Sequence, residues 1–309
     1  MSANMQGVYS VLPTPFAPNG EIDVASLKRV IDLYIRAGVD GLTASGVTSE
    51  TARLSDSERL FMLETVMALV NKRVPVVIGA TTEGLHTCIE LSKKAKAMNA
   101  AAVMISPPRL LKLNSDAVVK HFRAVADTVD IPIIVQDYPP VSGFTMEASL
   151  LARIAREVPT ARTIKLEDAP TPFKTARVIE QAGDLKLAIF GGLGGTYLLE
   201  ELMAGTTGAM TGFAVPEILV QVVRLFHAGE LQKAAEIFYR NVALMRFEFQ
   251  EGLGMAIRKE MLRRRGAIAH PGIRPPGAQL DASTQQALDS LLNWFLQQNK
   301  ELQWTLEKI

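Results

Sequence analysis

The chain has 309 residues, of which 48% are hydrophobic and 21% are charged, which is enough for one large core or for two domains. Its formal net charge is +1, so the chain as a whole has no strong field that would attract nucleic acid or an anionic membrane surface. We therefore expect neither of them as a partner.

The sequence also bears on location and cofactors. The single cysteine, Cys88, excludes a disulfide within the chain and fits a reducing compartment. The first ten residues lack the basic start and apolar core of a signal peptide, and no apolar run is long enough to span a membrane. These features predict a cytoplasmic location. The four histidines are scattered without the spacing of metal ligands, so we expect no metal and no other cofactor.

Short apolar runs alternate with amphipathic stretches up to about residue 215. The candidate strands are residues 7–13, 41–45, 74–81, 101–106, 131–136, 162–166, 186–190 and 207–211. The candidate helices between them are residues 23–38, 55–70, 87–98, 115–129, 146–158, 172–183 and 195–205. Strands that are apolar almost throughout are typical of a parallel sheet covered on both faces.

Eight such β–α units predict a closed (β/α)8 TIM barrel. A doubly wound sheet is the alternative, but such a sheet usually has a glycine-rich phosphate loop after its first strand. The segment at that place, 13-PTPFAPNG-20, is no phosphate-binding loop. The fifth candidate strand is expected to end at Gln136 in a stiff polar loop with two prolines, 136-QDYPPVSG-143.

After residue 215 the strand pattern stops, and the chain is predicted to be helical. The candidate helices are residues 216–228, 230–247, 254–266 and 281–298. We therefore predict a barrel at residues 1–215 and a C-terminal α-helical extension at residues 216–309 that completes the barrel and packs on it. The basic run 258-RKEMLRRRG-266 is interpreted as the solvated face of a helix end.

Lys165 is the first candidate for chemistry, because catalytic groups of a barrel lie at the C-terminal ends of its strands. It stands between Ile164 and Leu166 within a candidate strand, although lysine is among the residues least often buried. Burial disfavours the charged ammonium, and a neutral amine can attack a ketone to form a Schiff base. The alternative is a lysine at the strand mouth that pairs with Glu167 or Asp168.

Two loops at strand ends could contact a substrate. In 44-ASGVTSETARLSDSER-59, backbone N–H groups and hydroxyls could hold a carboxylate, although the stretch also fits an ordinary βα loop. The segment 191-GGLGGT-196 has the wrong spacing for a nucleotide fingerprint and is interpreted as leaving room for a substrate chain.

Together these motifs resemble the class I aldolases related to dihydrodipicolinate synthase and N-acetylneuraminate lyase. The resemblance covers most of the chain in order and spacing, with Lys165 at the position of the Schiff-base lysine. The matching segments are 12-LPTPF-16, 46-GVTSETARLS-55, 139-PPVSG-143, 163-TIKLED-168 and 262-LRRRGAIAHPGIRPPGAQL-280. The resemblance implies a (β/α)8 barrel, usually a homotetramer built as a dimer of dimers, and a 2-keto acid such as pyruvate bound as an imine on lysine.

The resemblance also assigns roles to single residues. The carboxylate-binding loop of the family maps onto Gly46, Val47 and Thr48, and Val47 lacks one of the family's two hydroxyls. The catalytic tyrosine of the fifth strand maps onto Gln136, and Tyr138 falls two residues later.

Further residues are expected beside the substrate. Arg109 replaces the synthase's second tyrosine, in the loop after the fourth strand. Gly191 and Met210 are expected next to the substrate from the last two strands. Asp137 takes the position of the asparagine that follows the family's tyrosine.

The stretches 136–139 and 207–212 resemble the 2-keto-3-deoxy sugar acid dehydratase and aldolase members of the family. We therefore predict a Schiff-base-forming lyase in which Lys165 attacks C2, the imine acidifies C3, and a hydroxide or an aldehyde leaves from C4. Gln136 or Tyr138 would handle protons or orient a hydroxyl. Since glutamine has no accessible pKa, the general base stays unassigned. The alternatives are a pyruvate-dependent aldolase of the synthase or neuraminate-lyase type, and a non-catalytic keto-acid-binding homologue.

Overall fold

The computed structural model of the protein describes residues 5–302, and eight parallel strands in it close into a barrel in chain order. The strands are β1 (Gly7–Val11), β2 (Gly41–Ala44), β3 (Val76–Gly79), β4 (Ala102–Ile105), β5 (Ile133–Asp137), β6 (Thr163–Leu166), β7 (Ala188–Gly191) and β8 (Gly208–Thr211). The prediction of a (β/α)8 barrel with a C-terminal helical extension is confirmed, and the doubly wound alternative is wrong.

Helices surround the barrel and continue beyond it. Those up to β8 are α1 (Val24–Arg36), α2 (Asp56–Val70), α3 (Leu85–Ala97), α4 (Ser115–Thr128), α5 (Pro139–Ser142), α6 (Ala148–Glu157), α7 (Thr171–Ala182) and α8 (Leu198–Met203). Those after β8 are α9 (Pro216–His227), α10 (Leu231–Glu248), α11 (Gly254–Arg264) and α12 (Ala282–Gln298). Short 3₁₀ turns lie at Val47–Ser49, Thr51–Arg53, Leu193–Gly195 and Lys300–Leu302.

Helix α9 contacts β1 and β8, so it takes the place of the last helix around the barrel. Helix α10 packs on α8 and α9, and α12 packs on α10. The division of the chain at residue 215 stays a prediction. None of the helices within residues 5–302 is long and apolar enough to cross a membrane.

The end of β5 differs from the prediction. The strand continues to Asp137, and the two prolines that follow begin the short helix α5 instead of a stiff loop. Proline lacks the N–H that the first helical turn would leave unpaired, and its fixed φ suits a helix start. Tyr138 is thereby held at the junction between β5 and α5.

The basic run of α11 was interpreted as a solvated helix face, and that interpretation is wrong. Arg258, Lys259 and Arg264 are all buried. The Nε of Arg258 lies 2.5 Å from a carboxylate oxygen of Glu248, and Lys259 pairs with Glu50. A charge can be buried when an opposite charge and hydrogen bonds replace its water. Glu50 lies far from α11 in the sequence, and Glu248 is the last residue of the preceding helix, α10.

Arg274 attaches the segment after α11 to the start of α2. Its guanidinium pairs bidentately with Glu58 and donates to the carbonyl oxygens of Gly20 and Arg53. Glu58 also forms the capping box of α2 with Ser55. The hydrogen bonds from Arg274 and Ser55 lower the pKa of Glu58 to about 2. The C-terminal segment is thus anchored next to the loop after β2.

Candidate active site

The lower part of the barrel lumen is filled by apolar side chains. Along each strand alternate residues face inward, and Tyr9, Met104, Ile134, Phe190 and Met210 form one buried cluster there. The rings of Tyr9 and Phe190 meet edge to face, with their centroids 5.4 Å apart. Met210, predicted to contact the substrate, is fully buried in this packing.

Lys165 lies above this layer, on the inward face of β6. It stands in register with Gln136 of β5 and Phe190 of β7, and only 4% of its surface is exposed. Its Nζ lies 3.2 Å from Oε2 of Glu167. The lysine is buried in the barrel, as the first interpretation requires, and it is paired with Glu167, as the alternative requires. Asp168 pairs with Lys174 instead. The role of Lys165 as a nucleophile stays a prediction.

A chain of hydrogen bonds runs across the lumen from the end of β3 to the end of β6. The backbone N–H of Ser106 donates to Oγ1 of Thr81, at 3.0 Å, and the Ser106 hydroxyl donates to Oε1 of Gln136, at 3.2 Å. The amide Nε2 of Gln136 donates to Oε2 of Glu167, at 2.8 Å. Gln136 is thus fixed at both ends of its amide and touches the carboxylate beside Lys165.

The side chains of the two residues after Gln136, Asp137 and Tyr138, lie in different surroundings. Asp137 is fully buried, and its Oδ2 lies 2.6 Å from Nζ of Lys174 in α7. Burial raises the pKa of Asp137 to about 6, although the charge of Lys174 opposes this. Tyr138 is half-buried, and burial together with the charges of Glu167 and Glu251 raises the pKa of its phenol. The phenol therefore keeps its proton near neutral pH and can donate a hydrogen bond.

The predicted carboxylate loop forms the 3₁₀ turn after β2. The N–H of Gly46 donates to Oγ of Ser49 at 3.2 Å, so it is already used within the turn. The N–H groups of Val47 and Thr48 have no acceptor among residues 5–302. The hydroxyl of Thr48 is buried and has no partner among the same residues. Thr48 and these two N–H groups are therefore available for a ligand, and Gly46 shapes the turn.

Two cavities meet at Val47. One of about 210 Å³ reaches Gln136, and one of about 220 Å³ reaches Tyr138 and Arg258. Residues lining the first include Gly46, Val47, Arg59, Thr81, Met104 and Gln136. Residues lining the second include Val47, Thr48, Tyr138, Phe249, Met255 and Arg258. The structure thus brings the predicted residues Gly46, Val47 and Gln136 to one cavity and Thr48 and Tyr138 to its neighbour.

Arg59 and Arg258 were not predicted for the site. Each lies in a helix, and Arg258 was interpreted as part of a solvated helix face. Only the packing of that helix against the barrel end brings either side chain to a cavity.

Two of the predicted substrate contacts, Arg109 and Gly191, do not line the first two cavities. Arg109 donates to the carbonyl oxygens of Pro140 and Val141, at 2.8 and 2.5 Å, and lines a third cavity, which shares Arg59 and Thr81 with the first. The space beside Gly191 is taken by Glu201 of α8, since a Cβ at this glycine would lie 1.7 Å from Oε2 of Glu201. A substrate role for Arg109 or Gly191 stays a prediction.

Glu201 makes folding stability depend on pH. It is 1% exposed, accepts a hydrogen bond from the Thr171 hydroxyl, and burial raises its pKa from 4.5 to about 8. Between about pH 4.5 and pH 8 the Glu201 carboxyl is therefore protonated in the folded protein and ionised in the unfolded chain. The free energy of unfolding therefore falls as the pH rises from about 4.5 to about 8, by at most about 1.4 kcal/mol per pH unit.

Glu201→Gln is expected to remove this contribution. Denaturant titrations at pH 5.5 and 8.5 should show a smaller loss of unfolding free energy in the variant than in the wild type. Equal losses in the two proteins would contradict the assignment.

Among residues 5–302, no group of three or more histidine, cysteine, aspartate or glutamate side chains could hold a metal ion. The polar groups at the mouth include a buried amine, a carboxylate, an amide, a phenol, a hydroxyl, two guanidinium groups and free N–H groups. Such a set suits covalent chemistry on an acidic carbonyl compound.

Comparison with known proteins agrees with this chemistry. Residues 4–294 match the model of the dihydrodipicolinate synthetase family. The chain is 32% identical over 286 residues to an L-2-keto-3-deoxyarabonate dehydratase of Azospirillum brasilense, covering 92% of each protein. It is 29% identical to a 4-hydroxy-tetrahydrodipicolinate synthase of Methanothrix thermoacetophila, covering 93% of this chain and 96% of the synthase.

A solved structure gives the same relationship. The crystal structure of dihydrodipicolinate synthase from Rhodopseudomonas palustris superimposes with a TM-score of 0.89 at 30% identity, covering 95% of this chain and 99% of the other. These matches confirm the predicted resemblance and the prediction of an enzyme of the lyase class. The chain belongs to the dihydrodipicolinate synthetase family.

Proposed function

We propose that the protein is a Schiff-base-forming lyase for a small 2-keto acid, with a 2-keto-3-deoxy sugar acid as its substrate. The observation that carries the proposal is Lys165, a lysine buried in the barrel lumen between Gln136 and Phe190. The dehydratase relative in Azospirillum brasilense acts on such a sugar acid by its name, which supports this substrate class.

Each step of the reaction can be assigned to a group of this chain. The N–H groups of Val47 and Thr48, with the Thr48 hydroxyl, bind the carboxylate of the keto acid. Lys165 attacks C2 and forms an imine, and the protonated imine makes the C3 proton acidic. In a dehydration the C3 proton is removed and hydroxide leaves from C4. In a retro-aldol cleavage the C4 hydroxyl loses its proton instead, the C3–C4 bond breaks, and C4 leaves as the carbon of an aldehyde while C2 and C3 stay on the lysine as an enamine.

The residue opposite Lys165 favours the sugar-acid reaction over the synthase reaction. Gln136 replaces the tyrosine expected there, and its amide is hydrogen-bonded to Ser106 and Glu167. An amide can orient a substrate hydroxyl but cannot take a proton. The alternative function is a pyruvate-dependent aldolase of the dihydrodipicolinate synthase or N-acetylneuraminate lyase type, which the synthase relatives support.

Product analysis separates these functions. The protein is incubated with 2-keto-3-deoxy sugar acids of five and six carbons, and the products are followed by NMR and mass spectrometry. We expect a dehydrated keto acid. Pyruvate plus an aldehyde would select the aldolase, and imine formation without turnover across the panel would select a non-catalytic binding homologue.

We further propose a homo-oligomer, built as a dimer of dimers, in the cytoplasm. Leu110 and Leu111, in the loop after β4, are 55% and 99% exposed, which is unusual for adjacent leucines of a monomer and supports an interface there. Sedimentation analysis is expected to give the mass of four chains, and a monomer at micromolar concentration would contradict the proposal. The cytoplasmic location rests on the single cysteine.

A further inference from the structure

The mechanism above has no assigned proton acceptor, and Glu167 lies where one is needed. The backbone N–H of Glu167 donates to the carbonyl oxygen of Asp137 at 2.9 Å, so the β5–β6 pairing continues past the formal end of β6. Residues two apart in a strand share a face. Lys165 and Glu167 therefore both face the lumen, and their side chains are 5% and 10% exposed.

The Glu167 carboxylate is held by one oxygen and open at the other. Its Oε2 lies 3.2 Å from Nζ of Lys165 and accepts the hydrogen bond from Gln136 at 2.8 Å. Its Oε1 has no hydrogen-bond partner among residues 5–302. One oxygen is thus fixed next to the amine that would carry the substrate, and the other stays free to exchange a proton.

The glycine-rich segment after β7 provides the space for this carboxylate. A Cβ at Gly192 would lie 2.4 Å from Cγ and 2.7 Å from Oε1 of Glu167, closer than non-bonded atoms approach. Any side chain at position 192 would therefore displace Glu167. The segment 191–196 is not a nucleotide-binding loop. Its second glycine, Gly192, leaves the space in which the Glu167 carboxylate reaches the lumen.

The alternative is that Glu167 has a purely structural role and only compensates the charge of the buried Lys165. Asp168, the next residue, already shows such a role, because it pairs with Lys174 outside the lumen. Glu167 differs from it in facing the nucleophile, in its second contact with Gln136 and in its free oxygen. Nothing else within residues 5–302 forms an ion pair with Lys165.

We propose that Glu167 is the catalytic acid–base group of this site and carries the protons of both imine formation and elimination. The inference rests on the proposed function, since it takes Lys165 as the nucleophile. Within residues 5–302, the ion-pair and hydrogen-bond partners of the Lys165 and Gln136 side chains are Ser106 and Glu167, and of these two Glu167 is the acid–base group. It therefore fills the role that glutamine cannot fill.

The protons balance through the whole cycle. Glu167 first takes a proton from the Lys165 ammonium, and the neutral amine attacks C2 of the keto acid. The C2 oxygen takes one proton from the attacking nitrogen and one from the carboxylic acid of Glu167 and leaves as water, and the nitrogen keeps its remaining proton as the protonated imine. The carboxylate then removes a proton from C3 to form the enamine.

In the last step Glu167 gives the C3 proton to the C4 hydroxyl. The C4–O bond breaks, a C3–C4 double bond forms, and a second water leaves. The carboxylate is regenerated, and hydrolysis of the unsaturated imine releases the product. One carboxylate beside the imine thus suffices for a dehydration.

Exchange of the methyl protons of pyruvate in D₂O isolates the C3 proton transfer, because pyruvate has no C4 and stops at the enamine. Glu167→Gln is expected to slow this exchange by about 10²- to 10⁴-fold, the usual contribution of a positioned acid–base group. Borohydride should still reduce a pyruvate imine on Lys165 after long incubation, because the nucleophile remains. Asp168→Asn removes the neighbouring carboxylate. Its exchange rate is expected to stay within a few-fold of the wild-type rate, a small change beside the slowing expected for Glu167→Gln.

Gly192→Ala gives a second test that leaves every polar group in place. It is expected to displace the Glu167 carboxylate and slow exchange while still allowing imine reduction. Exchange in Glu167→Gln at the wild-type rate, with imine reduction intact, would overturn the role of Glu167 and leave the proposed function standing. A wild-type protein that forms no imine would overturn the proposed function itself, and this inference with it.

Discussion

Lys165→Arg is expected to reduce turnover by at least about 10⁴-fold, as removal of a catalytic nucleophile typically does. Arginine keeps the positive charge beside Glu167 but cannot lose its proton, so it cannot form a Schiff base. Because an arginine at position 165 can still form an ion pair with Glu167, the loss of turnover should not come from unfolding. Steady-state kinetics on the substrate found by product analysis, with circular dichroism as a check of folding, measures the effect.

The matched control is Lys174→Arg. Lys174 is also a poorly exposed lysine that pairs with two carboxylates, Asp137 and Asp168, but it lies in α7, outside the barrel. This variant should keep turnover within a few-fold of the wild type, far from the loss at position 165. Comparable losses in the two variants would show that charge packing, and not a nucleophile, limits the reaction.

Lys259→Met is expected to lower the free energy of unfolding by about 3–5 kcal/mol, because it leaves a buried carboxylate without its partner. Lys259 is 0% exposed, pairs with Glu50, donates to the carbonyl oxygen of Gly272 at 2.9 Å and lies over the ring of Phe16. Burial lowers the pKa of this lysine, and the Glu50 charge opposes that shift. Denaturant titration measures the loss.

The same variant should weaken keto-acid binding. Glu50 follows directly on the Val47–Ser49 turn and has a positive φ of 55°, a conformation that few residues other than glycine adopt. The pair with Lys259 helps hold it there. We therefore expect the KM for the keto acid to rise more than kcat falls.

Two control variants set the scale for the loss of unfolding free energy in Lys259→Met. The double variant Glu50→Gln with Lys259→Met should recover part of the stability, because no unpaired charge remains. Arg177→Gln removes an exposed ion pair with Glu180 and should cost less than about 1 kcal/mol. A loss for Lys259→Met no larger than that of Arg177→Gln would contradict the role of the buried pair.

The barrel could be predicted from the sequence because its signals are local. Apolar runs alternate with amphipathic helices eight times, and a lysine such as Lys165 inside one of these runs is noticeable without any knowledge of its neighbours. The family motifs added predicted site residues in the loop after β2 and at the end of β5. Most of these residues do lie at the mouth of the barrel.

The features that escaped prediction depend on contacts between distant parts of the chain. The hydrogen bond from Gln136 to Glu167 follows from the register of β5 against β6, which the pattern within one strand does not specify. Lys259 was interpreted as a surface residue because its partner, Glu50, lies far away in the sequence. Helix α5 was missed although proline at a helix start was a usable signal.

Borohydride reduction is the direct test of a covalent imine between Lys165 and a 2-keto acid. The wild-type protein is incubated with pyruvate, reduced, digested and mapped by peptide mass spectrometry, with a sample reduced without pyruvate as the control. We predict one stable adduct, on the peptide that contains Lys165. The absence of an adduct, or an adduct on another lysine, would contradict the claim.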